Sequence, residues 1–230
     1  MVYAYVRLAA AVLGVAAIVA QLIRTVERAL EATTDYAGHV PTVLSNFLSY
    51  FTIQSNVAAA VTLAIGGIWM LRHRTSQEEP RWFAILLACV TTYMIVTGIV
   101  YNTLLRGVAL DQGVTVLWSN EVLHVVIPLF LLLDLFVAPK RRALPWRTAW
   151  IIVIYPVVWA VYTLVRANFI VAPANGNPWW YPYPFLDPHL VPGGFLGVAG
   201  YIVGIAVAII GVGLLVIWVG RVRAQRRGDV

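Results

Sequence analysis

Six apolar stretches, each long enough to cross a bilayer, constrain this chain of 230 residues more than any other feature. They run over about 8–23, 44–71, 82–105, 117–137, 149–171 and 194–219. The hydrocarbon core of a membrane is about 30 Å thick and is crossed by ~20 helical residues. A backbone in hydrocarbon must satisfy its own N–H and C=O groups, so each stretch is expected to be a helix. Hydrophobic residues make up 61% of the chain and charged ones 11%, too few to clothe a soluble domain. The connections are short. The expectation is therefore one all-α, polytopic membrane domain over 1–230 with six transmembrane helices. The first stretch is not followed by a small-residue cleavage site, so it reads as a retained helix rather than a signal peptide.

The basic residues set the sidedness. Arg72, Arg74 and Arg81 lie between spans two and three, and Lys140, Arg141, Arg142 and Arg147 between four and five. Arg221, Arg223, Arg226 and Arg227 belong to a basic tail, 220–230. The other connections hold only Arg24, Arg28 and Arg106. The positive-inside rule then puts both termini in the cytoplasm. Topology and anionic lipid account for the net charge of +6, so no nucleic-acid partner is expected. The usage of Ala, Val and Arg suggests a bacterial plasma membrane. Cys89 is the single cysteine, which excludes an internal disulfide.

Within this apolar frame two spans are unusually polar. Ser45, Ser49, Thr52 and Asn56 recur at helical spacing near the outer end of span two. Asn120, Glu121 and His124 open span four, with Pro128 downstream. Polar side chains are costly in hydrocarbon, and a cluster of them reads first as a buried site. With the topology fixed, Thr52 lies eight residues in from the outer face and His124 seven, about 12 and 10 Å at 1.5 Å per residue. The two share a level. Spans three and five bring Thr97, Tyr101, Asn102, Tyr162, Arg166 and Asn168 to the same outer half. The expected arrangement is a polar chamber, open outward and built mainly from spans two to five. Above it lies the connection 172–193, rich in Pro and aromatics and containing Tyr183 and Asp187, expected to form an extracytoplasmic flap on or in the interface.

A hydroxyl and a neutral imidazole at one depth suit nucleophilic catalysis on an ester. His124 would be the base and Thr52 or Ser49 the nucleophile. Glu121 could hold the ring or pair with Arg166, and Asn56, Asn120 or a tyrosine such as Tyr101 or Tyr162 could donate to an oxyanion. The same groups also suit simple helix packing, or a non-catalytic protein whose Arg166 and tyrosines hold the head group of a lipid or small molecule. A transporter would be marked by an inverted repeat or a helix broken at the midplane, and the sequence shows neither. The four histidines, His39, His73, His124 and His189, form no HxxxH or HExxH pattern, so no metal is expected. No GxSxG, GxxxxGK[ST] or GxGxxG motif occurs and no lysine sits mid-span, so no cofactor is expected either. The glycines of span six mark it as a packing helix.

Three segments carry a resemblance to a known family. They are Phe47-Leu48-Ser49-Tyr50-Phe51-Thr52 through Asn56, Asn120-Glu121-Val122-Leu123-His124 with Pro128, and Tyr183-Pro184-Phe185-Leu186. With the order of the spans, they make the chain similar to bacterial members of the six-span proteins related to the androgen-induced and androgen-dependent TFPI-regulating proteins. The animal members are intramembrane threonine hydrolases of fatty acid esters of hydroxy fatty acids. The resemblance implies membrane lipid as surroundings, a lipid-like ester as substrate, His124 as base and no metal. It leaves the nucleophile open: one alignment of the pattern favours Ser49, another Thr52.

Overall fold

The computed structural model describes residues 1–73, 78–108, 115–139 and 141–227. Arg74, Lys140 and the end of the basic tail lie outside the described residues. Among those described there is no strand. Six helices are long and apolar enough to cross a membrane: Val2–Leu30, Phe51–Arg72, Arg81–Leu105, Leu117–Val137, Thr148–Ala167 and Phe195–Arg226. The protein is an all-α, multi-pass membrane protein.

Span three lies at the centre, packed against spans two, four, five and six, while span one lies along span two. Spans one and two meet where two glycines leave room. A Cβ on Gly66 would stand 2.7 Å from Arg7 Nη1, and one on Gly67 2.8 Å from the Leu8 side chain. Close backbone approach through small residues is the usual way membrane helices gain contact.

Three features depart from the expected spans. Span one begins six residues early, because Arg7 does not mark a membrane boundary: it is fully buried. Its Nε donates to Asp134 Oδ1 at 2.8 Å, its Nη2 to Asp134 Oδ2 at 3.0 Å and its Nη1 to Glu79 Oε1 at 3.3 Å. Arg141 Nη2 reaches Asp134 Oδ2 at 3.0 Å and the Tyr3 hydroxyl donates to Oδ1 at 2.7 Å. Asp134 thus joins span four to span one and to the connection that carries Arg141, and Arg7 adds the connection that carries Glu79. Burial pushes the Glu79 carboxyl above its ordinary range, against the pull of Arg7.

Span two is not one helix. Val40–Ser49 ends at Tyr50, whose φ of −66° and ψ of 129° are extended, and Phe51–Arg72 begins anew. Side chains compete with the helical ladder here. Ser45 Oγ donates to Thr42 O at 2.9 Å and Ser49 Oγ to Ser45 O at 2.6 Å, and such back-bonding bends or weakens a helix. Gln54 Nε2 donates to Leu48 O at 2.7 Å across the break. The Tyr50 ring sits edge-on to Trp180 and Tyr183.

The connection 172–193 is less a cover than a plug. Trp180, Tyr181, Tyr183, Phe185 and Leu186 are all buried, around a short 3-10 turn at Pro184–Leu186. Its aromatic side chains pack against the bundle. Span six continues as helix through Arg227, so the described part of the basic tail extends it.

Proline in span five shows how the bundle compensates for a lost backbone bond. Pro156 has no N–H to give Ile152 O, four residues before it. The Tyr93 hydroxyl of span three donates to that carbonyl instead, at 2.8 Å. This ties span three to span five beside the site.

Candidate functional site

The break at Tyr50 is what makes Thr52 unusual. It places Thr52 in the first turn of a helix, where backbone N–H groups have no carbonyl within the helix to bond. The ladder resumes at Gln54 N, which donates to Tyr50 O at 3.1 Å. Thr52 N donates to the Tyr183 hydroxyl at 3.2 Å, and Thr52 Oγ1 lies 3.3 Å from the same oxygen. Burial pushes the Tyr183 phenol up, so it keeps its proton.

Span four brings the imidazole. His124 stands on a π turn, Val122–Val126, set between helical segments. Such wide turns are rare and frequently accompany functional positions. His124 Nε2 is 3.2 Å from Thr52 Oγ1. Its Nδ1 is 2.9 Å from Asn120 O. A carbonyl only accepts, so Nδ1 carries the proton and Nε2 faces the hydroxyl with its lone pair. The ring stacks on Tyr101 at 3.9 Å between centroids and 21° between planes. Tyr101 opens a second π turn, Tyr101–Leu105, and its hydroxyl accepts from the Asn120 amide. One residue, Asn120, therefore fixes both rings. Asn56 Nδ2 donates to Thr52 O at 2.9 Å and to Leu123 O at 3.1 Å, pinning spans two and four together beneath the pair.

Not every residue singled out in the sequence takes part in this arrangement. Ser49 lies on the other side of the break and meets the Tyr162 hydroxyl at 3.0 Å. An unbroken helix would have put Ser49 and Thr52 on one face; the extended Tyr50 separates them. Glu121 neither holds the imidazole nor pairs with Arg166. It forms a two-pronged bridge to Arg106, Nη1–Oε1 2.9 Å and Nη2–Oε2 3.1 Å, exposed at the surface. Arg166 donates to Ser45 Oγ and Asn46 Oδ1, both at 2.7 Å, and lies over the Trp180 ring. Asp187 shapes a local turn, accepting from His189 N at 2.8 Å.

Beside Thr52 is a cavity of about 260 Å³. Of the side chains in its wall only Thr52, Thr97, Tyr101, Tyr183 and Trp159 carry a polar atom, the Trp159 indole N–H being given to Ser49 O, and the expectation of a polar chamber gives way to an apolar one. The reason lies in the pairings above: the serines, asparagines and arginine satisfy one another or nearby carbonyls and leave little polar surface to line a space. Span six, expected only to pack, supplies Ile202, Ile205, Ala206 and Ile209 to the wall. No three His, Cys, Asp or Glu side chains gather as a metal would require, among the described residues.

Comparison with models of protein families, with curated proteins and with solved structures finds no match to this chain. Sequence spacing alone had no means of locating the break at Tyr50 or the two π turns. The back-bonding serines and Gln54 were the only local sign of the first.

Proposed function

We propose that the protein is an intramembrane hydrolase of a lipid-like ester, with Thr52 as nucleophile and His124 as base. The observation that carries this reading is the Thr52 Oγ1–His124 Nε2 contact of 3.2 Å, with the far side of the ring anchored at Asn120 O, at the edge of an apolar cavity. As Thr52 Oγ1 attacks the ester carbonyl, His124 Nε2 takes its proton. Charge builds on the carbonyl oxygen next to the Tyr183 hydroxyl, a buried donor, at the positive end of the span-two helix. The C–O bond to the alcohol then breaks, and His124 returns the proton to the leaving oxygen. Water, deprotonated by the same ring, cleaves the acyl–threonine ester. The carboxylic acid leaves, and Thr52 regains its proton.

This reading agrees with the resemblance to the six-span lipid-ester hydrolases, which rests on the same residues. With the basic connections on the inner side, the pair lies in the outer half of a bacterial plasma membrane. The test is hydrolysis of p-nitrophenyl esters by purified protein in detergent. Thr52→Ala and His124→Ala abolish turnover while the fold is kept, and a hydroxyl-directed acylating probe labels Thr52 in the unmodified chain. Full turnover in both variants overturns the mechanism. The cavity by itself also suits a second reading, a lipid-binding protein without catalysis; its mark would be a retained lipid and no turnover by the unmodified protein.

A further inference from the structure

The cavity has a direction. From Leu164 to Val153 its span-five wall extends over eleven residue steps, about 16 Å at 1.5 Å per residue. Span six runs along it from Ile202 to Ile209. Thr52, Tyr101 and Tyr183 are at its outer end; below them the wall is apolar but for Thr97, whose hydroxyl lies 3.3 Å from that of Ser55. It therefore descends from the hydroxyl–imidazole pair toward the middle of the membrane.

Its two possible mouths differ. Toward the outside, Tyr183, Phe185 and Leu186 form a buried roof. Toward the bilayer, Val157 and Val161 belong to the cavity wall yet are 51% and 57% exposed on the flank of the bundle. Span five also carries Pro156 there, another wall residue, inside its continuous helix. An apolar space roofed on its outer side and open to hydrocarbon on its flank selects for a hydrocarbon chain, whose transfer from lipid to protein costs little.

We infer that one acyl chain of the ester enters sideways from the bilayer between spans five and six, and that Ala160 and Ala206 set the length of chain that fits. The inference rests on the hydrolase reading only for what happens at the carbonyl; the chain site stands on the cavity. Both alanines are wall residues, one on each of the helices flanking the mouth. A large side chain at either would fill the space that leads downward from Thr52. The occupant is a single unbranched acyl chain, with its carbonyl at Thr52 and its alcohol part toward the outer face.

The experiment uses the full chain in lipid nanodiscs with a palmitic acid bearing a mid-chain diazirine. Illumination labels peptides of spans five and six, equally in the unmodified protein and in Thr52→Ala. Ala206→Trp and Ala160→Trp each reduce that labelling, and lower the ratio of p-nitrophenyl palmitate to p-nitrophenyl butyrate turnover by about tenfold or more. Two variants on separate helices, and the labelling of the unmodified protein, keep the test decisive if one variant does not fold. Label found on spans one and four, or unchanged labelling and chain preference in both variants, overturns the lateral entry while leaving Thr52 and His124 as they are. Labelling at spans five and six with no turnover of any ester upholds the chain site and removes the hydrolase reading instead.

Discussion

Polar groups are buried at both ends of this bundle, and the two ends treat them in opposite ways. At the inner end Arg7, Glu79, Asp134 and Arg141 form a compact ionic cluster, with both oxygens of Asp134 bonded and Arg7 fully enclosed. At the outer end the central pair is neutral, a threonine and an imidazole, and each is held by groups that fix position rather than cancel charge. The ionic cluster has no cavity of useful size beside it; the neutral pair faces one of about 260 Å³. Charge in hydrocarbon survives only when paired, so the inner cluster has no reactivity to spare. A neutral hydroxyl and base can stay buried without a counterion and still exchange a proton. The contrast separates a device that joins elements from one that acts on a ligand.

Removing the two kinds of group should break different properties. The largest effect is expected on rate at the outer pair. Thr52→Ala or His124→Ala lowers ester turnover by on the order of 10⁴-fold, since members of such a pair act as a unit. The unfolding midpoint changes little, because one neutral hydrogen bond contributes about 1 kcal/mol. The inner end should behave in reverse. Asp134→Ala leaves Arg7 and Arg141 facing a hole and destabilises by about 3–5 kcal/mol, seen as a lowered thermal midpoint in detergent. Whatever fraction of Asp134→Ala stays folded should turn over ester at the normal rate. A folded Asp134→Ala with no activity would show that the two ends are not independent.

The two ends also differ in how legible they were. Helical rise and the positive-inside rule set the span-two hydroxyls and His124 near one level, with Ser49 and Thr52 both candidates, and the structure puts Thr52 Oγ1 3.2 Å from His124 Nε2. Hydropathy likewise fixes six helices. Arg7 was hidden for the same reason that hydropathy works: a charge near the start of a span reads as a boundary, and its partners Glu79 and Asp134 are 72 and 127 residues away. The apolar nature of the cavity was hidden too. A list of polar residues does not say which of them bond one another, and Ser45, Asn46 and Arg166 do so. The break at Tyr50 turned Ser49 away from His124, a change that helical spacing could not carry.

A smaller effect sharpens the outer end itself. Tyr183 both accepts from Thr52 N and stands ready to donate to a developing oxyanion. Tyr183→Phe keeps the ring against Tyr50 and Phe185 but removes the hydroxyl. Turnover should fall about 10²-fold with little change in KM, the signature of a donor used mainly in the transition state. Stability should fall by about 1–2 kcal/mol, because the Thr52 N–H is left without its acceptor. Equal losses in binding of a non-hydrolysable ester and in turnover would assign the hydroxyl to packing instead.

The smallest effect tests a charge that sits close to the pair without belonging to it. Glu121 is three residues before His124, the spacing at which a carboxylate could orient an imidazole on a helix. Its oxygens instead hold Arg106 at the exposed surface, and the ring is oriented by Asn120 O. An exposed pair of this kind contributes little to a fold and is screened by salt. Glu121→Gln should therefore leave the plateau rate and the unfolding midpoint where they are, at low and at high ionic strength. A carboxylate that truly supported the imidazole would behave otherwise. Its loss would slow turnover on the plateau of the rate profile even in salt, and the neutral pair would then share the ionic logic of the inner end.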